Sequence, residues 1–245
     1  ALLWSDFRQA MRQLYILQSL DVPIILLTAT LPVELELQLS RHFVSNFQIT
    51  RSTTARPNLA YSVEYVDGKS TERIDKRIIE LLSKFAASRQ SQDRAIVFCN
   101  KRDEVEELAK KINDKGILMA RTYDGSMHKT LKDAAQDSWW RGDSQVMVAT
   151  KAFGTGIDYP TIRLVVHKGP SASRLEYAQE TGRAGRDGEP AKCVAVTSEG
   201  YDHAVRRGYA RTVKDAKNSD AKKDKDSDSI MEIRAVIALL KVSDG

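Results

Sequence analysis

From residue 23 onward the chain alternates short apolar runs with amphipathic stretches: "PIILLT", "AIVFCN", "GILMAR", "VMVAT", "LVVHKG" and "CVAVTS" each have the length of a strand. These runs are apolar nearly throughout, so both faces of the sheet they form must be covered. Helices packed on both sides of a parallel sheet satisfy that demand, which predicts an α/β fold built from βαβ units. The clearest helix follows "AIVFCN", where Val105, Leu108, Ala109 and Ile112 fall on one face at i, i+3, i+4 and i+7. Asp103 and Glu104 in its first turn and Lys110 and Lys111 in its last suit the helix dipole. Asn100 is the expected N-cap, and the acids of "DEVE" at 103–106 read as a solvated helix face. In the helix "LKDAAQDSWW", one of Trp139 and Trp140 is expected in the core and the other at an edge contact.

Two stretches break the alternation. Residues 51–70 are polar and contain Pro57, and they read as a join between two α/β bodies, with the connector itself set at 57–71. Residues 214–228, "KDAKNSDAKKDKDSD", hold five Lys and five Asp without a large apolar residue, which predicts a nearly neutral, disordered linker inside a helical and charged tail at 201–245.

A chain of 245 residues that is 42% hydrophobic can bury one large core or two small ones. Its formal charge of +5 suits a polyanionic partner without identifying one. Cys99 and Cys193 are far apart and set in strand-like runs, so neither a disulfide framework nor a CxxC zinc site is written here. His42, His128, His167 and His203 lack metal-like spacing, and no metal site is expected. No apolar run approaches the roughly 18 residues of a membrane span. The expectation is a soluble intracellular protein without membrane contact, nuclear if eukaryotic. The chain opens on Ala1 in mid-pattern, which reads as the cut end of something longer.

In parallel α/β sheets, ligands bind at loops that follow strands. After "VMVAT" comes "KAFGTGID", where Gly154 and Gly156 free the backbone and Asp158 offers an acceptor. Further on, "QETGRAGRDG" sets Arg183 and Arg186 one helical turn apart, behind Gln179 and among Gly182, Gly185 and Gly188, where the backbone can approach a ligand. Planar guanidinium groups bond phosphate oxygens in pairs and keep their charge, so two of them suit a transferring phosphoryl group.

"QETGRAGRDG" resembles motif VI of superfamily-two helicases, in wording most like the RecQ family of ATP-dependent DNA helicases. "LLTATLP" resembles motif III, "AIVFCNKRDEVEELA" motif IV and "VMVATKAFGTGID" motif V. "YDGSM" at 123–127 stands where the family has a His-x-Gly sequence, and "WSDFR" at 4–8 resembles the end of its aromatic-rich loop. The similarity runs over residues 4–198, and within the family the second half resembles fungal helicase-like proteins.

The resemblance implies an ATP-dependent 3′-5′ DNA helicase with RecA-like domains. Residues 1–56 would be the end of the first domain and 72–200 the whole second one. Arg183 and Arg186 would be arginine fingers placed by Gln179. Gly154, Gly156 and Asp158 would line the nucleotide side. Thr150, Lys151, Asn100, Arg102, Gly125 and Ser126 would contact DNA, and Thr28 and Thr30 would couple the two sides. ATP with Mg²⁺ would be the cofactor, bound mainly by the first domain. Partners would be single-stranded or partly duplex DNA and a first RecA-like domain, in cis or on another protein.

The chain departs from the family in lacking a GxxxxGK[ST] loop and a DExH box, so by itself it is expected to be inactive. Gly68-Lys69-Ser70 does not supply the loop, since Val63 stands at the first glycine. Past residue 198 there is no cysteine, so the family's zinc module is absent from this stretch. The competing expectations are a non-catalytic nucleic-acid-binding or interaction module descended from a helicase, and an RNA helicase or other superfamily-two translocase.

Overall fold

The structure, a computed structural model, describes residues 25–28, 33, 36, 48–53, 55–68, 70–153 and 157–202. The chain divides into two compact units, Ala1–Arg56 and Pro57–Gly245. In the first, Val33 and Glu36 are helical and Arg51 is ion-paired with Glu36. The described part of "PIILLT", residues 25–28, is not a strand, and Ile25 and Leu27 are exposed. An apolar strand of this kind is stable between neighbours, and the described residues of that unit provide none. Thr30, Gly154, Gly156, the stretch 4–8 and the tail beyond residue 202, with 214–228, lie outside the described residues.

The second unit is built on a six-stranded sheet. Its elements are β1 (Leu59–Tyr65), α1 (Thr71–Ser88), β2 (Arg94–Cys99), α2 (Arg102–Asp114), β3 (Ala120–Tyr123), α3 (Lys129–Arg141), β4 (Val146–Ala149), β5 (Ile162–Lys168), α4 (Arg174–Thr181) and β6 (Ala191–Thr197). The strand order is β1-β6-β5-β2-β4-β3, and every pairing is parallel. This is the RecA-like α/β arrangement expected from the apolar runs.

Alternation along β2 assigns the two cores. Ala95, Val97 and Cys99 face α1 and α2 through Ile74, Ile78, Val105 and Leu108. Ile96 and Phe98 face the opposite side with Trp139 of α3, Phe153 and Tyr159. All six residues of β2 are buried, as a central strand between covered faces requires.

Three expectations need correction. The connector at 57–71 contains β1, which pairs with β6 along its full length from Leu59↔Ala191 to Tyr65↔Thr197. As an edge strand it is half exposed, so it lacks the continuous apolar run of its neighbours. In "GILMAR" the strand starts only at Ala120; Gly116 adopts φ +66° in the preceding turn, leaving Ile117 and Met119 exposed. The α2 N-cap is Lys101 rather than Asn100.

Trp139 is fully buried and its indole N–H donates to the Ala95 carbonyl at 3.3 Å. Trp140 is half exposed and meets Tyr159 edge-on at 5.0 Å. Arg94 closes the end of the same helix, donating to the carbonyls of Trp139 at 2.7 Å and Trp140 at 3.3 Å. Trp139→Ala is therefore expected to cost about 3–5 kcal/mol of stability. Trp140→Ala should cost less than about 1 kcal/mol. Urea unfolding of the two variants checks the difference.

Candidate functional site

The arginine turn begins where α4 ends. Ser173 caps the helix by accepting from the Glu176 N–H at 3.1 Å, and the Gly182 N–H closes it on the Ala178 carbonyl at 2.9 Å. The chain then coils tightly: Arg183 N–H donates to Glu180 O at 3.4 Å, Ala184 N–H to Thr181 O at 2.9 Å and Gly185 N–H to Ile162 O at 2.9 Å. Gly185 has φ +51°, and Asn58 Nδ2 donates to the carbonyls of Gly185 and Glu189, both at 2.9 Å. A Cβ at Gly185 would lie 2.6 Å from that Nδ2. The close backbone approach expected for a ligand at this glycine is thus taken by Asn58.

Ile162 opens β5, so the arginine turn sits at the starting edge of the strands, on the face covered by α3 and α4. Sequence reasoning placed it with the loops that follow strands. Because α4 runs back against the sheet, its far end returns to the opposite edge. Arg163 of β5 anchors the turn there through ion pairs with Asp187 and, at 3.4 Å, with Asp93.

The two arginines differ in state. Arg186 is exposed and its Nη1 lies 2.6 Å from Asp158 Oδ1, so structure brings together the expected finger and the expected nucleotide-side acid. Arg183 is half buried, and its Nε is enclosed without a hydrogen-bond partner. Burial lowers the Arg183 pKa from its ordinary value, the nearby charge of Arg186 lowers it further, and Glu180 opposes both. Such a group gains from an added anion on two counts: a partner for its N–H and relief of repulsion. Gln179 is exposed on the last turn of α4.

The other expected residues gather at the opposite edge, in loops after β2, β3 and β4. Thr150 N–H donates to Tyr123 O at 3.1 Å, joining the ends of β3 and β4. Asp124 Oδ1 accepts from the Ser126 N–H at 2.7 Å and from its hydroxyl at 2.5 Å, which folds Gly125 and Ser126 into a tight turn. Arg102, largely exposed, lies 3.7 Å from the same oxygen. Lys151 pairs with Glu176 at 3.0 Å. Thr28 is exposed in the other unit.

Asn100 also has a role within the sheet. Its amide donates to the carbonyls of Lys168 at 3.1 Å and Pro170 at 3.3 Å, binding the end of β2 to the end of β5. Glu104 is not a solvated acid: it is buried, caps α2 by accepting from the Lys101 N–H at 3.3 Å, and accepts from Tyr201 Oη at 2.8 and 3.0 Å. With a carboxylate already over the first turn, the positive end of α2 is occupied. Sequence reasoning also missed Asp124, whose Asp-Gly-Ser setting is the usual signal of a side chain that closes its own turn.

Residues 74–188, from α1 through the arginine turn, match the family model described as helicase conserved C-terminal domain. The chain is 34% identical over 192 residues to the ATP-dependent DNA helicase RecQ of Haemophilus influenzae, covering 77% of this chain and 29% of that protein. Over most of its length the chain is similar to RecQ-family helicases, and residues 74–188 carry their helicase C-terminal domain. A second relative, the ATP-dependent DNA helicase Q-like 2 of Arabidopsis thaliana, is 34% identical over 194 residues, covering 77% of this chain and 26% of its own length. The RecQ-like chain thus spans between a quarter and a third of these relatives. The fold is that of Saccharomyces cerevisiae Dbp5, solved bound to RNA and ADP BeF3, with a TM-score of 0.64 at 18% identity over 83% of this chain and 53% of that one. Among the described residues no group of three His, Cys, Asp or Glu side chains could hold a metal ion, and no helix is long and apolar enough to cross a membrane.

The Ser126 side chain holds the Asp124 pKa below the usual carboxylate value, with the Ser126 and Met127 N–H groups and Arg102 adding to this and burial opposing it. Ser126→Ala is expected to raise it, as followed by the Asp124 carboxyl resonance in a pH titration. The stability that Asp124 contributes is complete above its unfolded pKa, near about 4. It is lost as pH falls through the depressed folded value, so the variant should lose it at higher pH than the wild type.

Proposed function

We propose that this chain supplies the second half of an ATP-dependent 3′-5′ DNA helicase. In this reading residues 1–56 are the end of a first RecA-like domain, whose remainder, in cis or on another protein, holds the phosphates and Mg²⁺. The loops after β2, β3 and β4 hold the backbone of single-stranded or partly duplex DNA. In a eukaryote the protein would work in the nucleus.

The observation that carries the reading is Arg183, a half-buried cation whose Nε has no partner, beside a second arginine on the same turn. ATP bound between the domains would present a γ-phosphate whose charge spreads in the transition state. Arg183 supplies a donor to that charge, and Arg186, released from Asp158, supplies another. Gln179, exposed one turn earlier, would orient them. At the other edge Thr150, Lys151, Arg102 and the turn of Gly125 and Ser126 offer hydroxyl, amide and cationic donors suited to phosphodiester oxygens. The RecQ relatives are named as DNA helicases, which favours DNA over RNA.

Two results test this. The isolated chain should show no ATP hydrolysis stimulated by single-stranded DNA, since it contains no Walker A loop. In a protein carrying both RecA-like halves, Arg183→Ala should lower turnover about 10³-fold while leaving DNA binding intact. Undiminished turnover in that variant would overturn the assignment.

A further inference from the structure

Arg183 stays unpaired although a carboxylate lies three residues away, and the reason is visible in the neighbouring contacts. Glu180 points into the protein from α4 and is buried. Its Oε2 receives His167 Nε2 at 2.9 Å and the Ser171 hydroxyl at 3.0 Å. His167 itself is clamped between Phe98, stacked at 5.3 Å, and Tyr177, at 4.9 Å. The ring cannot swing away from Glu180 without breaking both contacts.

His167 Nδ1, Tyr177 Oη and Arg183 Nε are all buried without partners. Arg186, beside the exposed Asp158, is captured by it. The contrast between the two arginines therefore follows from which carboxylates are already engaged.

We propose that His167 and Ser171 are positioning residues that restrain Glu180 from pairing with Arg183, and so keep the Arg183 guanidinium available for a phosphate oxygen. In the wild type the Glu180 Oε2 is held by His167 and Ser171. If the two donors are removed, a buried carboxylate is left without partners, and the strongest remaining source of donors is Arg183. The availability of Arg183 for phosphate rests on the function proposed above; its unpaired state does not.

The test reads Arg183 directly in the full 245-residue chain. In ¹⁵N-labelled wild type the Arg183 guanidinium should show the fast averaging of its Nη groups expected for an unpaired side chain. In His167→Phe/Ser171→Ala, which keeps an aromatic ring between Phe98 and Tyr177, the Nε–H resonance should shift and the Nη groups should resolve as an Arg183–Glu180 pair forms. Adding Glu180→Gln to that variant should restore the averaging. Ser171→Ala alone, a smaller change, should produce a partial shift if the double variant does not fold. An Arg183 signal unchanged in the folded variants, or one already resolved as paired in the wild type, overturns the proposal. Loss of the Arg183 effect on turnover would instead count against the helicase reading, so the two failures are separable.

Discussion

Because every strand pair in the sheet is parallel, no connection can be a hairpin; each must travel back across a face of the sheet before the next strand starts. Helices are that return path everywhere except between β4 and β5, where no helix intervenes among the described residues. This divides the molecule into two working edges. Loops that leave β2, β3 and β4 collect at one, and the turn that α4 delivers collects at the other, next to the first residue of β5. In the proposed function this separation would let DNA and ATP load opposite edges of one sheet.

Rigidity at each edge comes from side chains that bind backbone. Asn100 ties β2 to β5, Asn58 holds both limbs of the arginine turn, and Arg94 seals the end of α3 against β2. Gly169 shows the same economy of space: with φ +81° it lies under Tyr201, whose ring would be 2.1 Å from an added Cβ, and Tyr201 in turn reaches Glu104 at the start of α2. Polar residues near the edges therefore serve the frame as often as a ligand.

Much of this was legible in the chain. The apolar runs of β2, β4, β5 and β6 announce strands buried on both faces, and the spacing of Val105, Leu108 and Ile112 announces α2. Strand β1 was harder because an edge strand is wet on one side, although Tyr61, Val63 and Tyr65 do alternate. The N-cap expected at Asn100 and the solvated face expected at Glu104 were misread because a polar residue at a helix start serves equally well as cap, ligand or tertiary tie. What decided between them lay far along the chain: Lys168 and Pro170 for Asn100, and Tyr201, 97 positions away, for Glu104.

The sequence by itself determined the fold class, the order of the motifs and the family, since hydrophobic period and local glycine and arginine spacing act between residues close in the chain. Tertiary structure alone decided that the arginine turn lies at the strand-start edge and that Arg186 is paired while Arg183 is not. It also decided that Glu180 is engaged by His167 and Ser171. Those outcomes depend on which groups meet after distant strands align, and on burial, which sets the cost of leaving a charge or a donor without its partner.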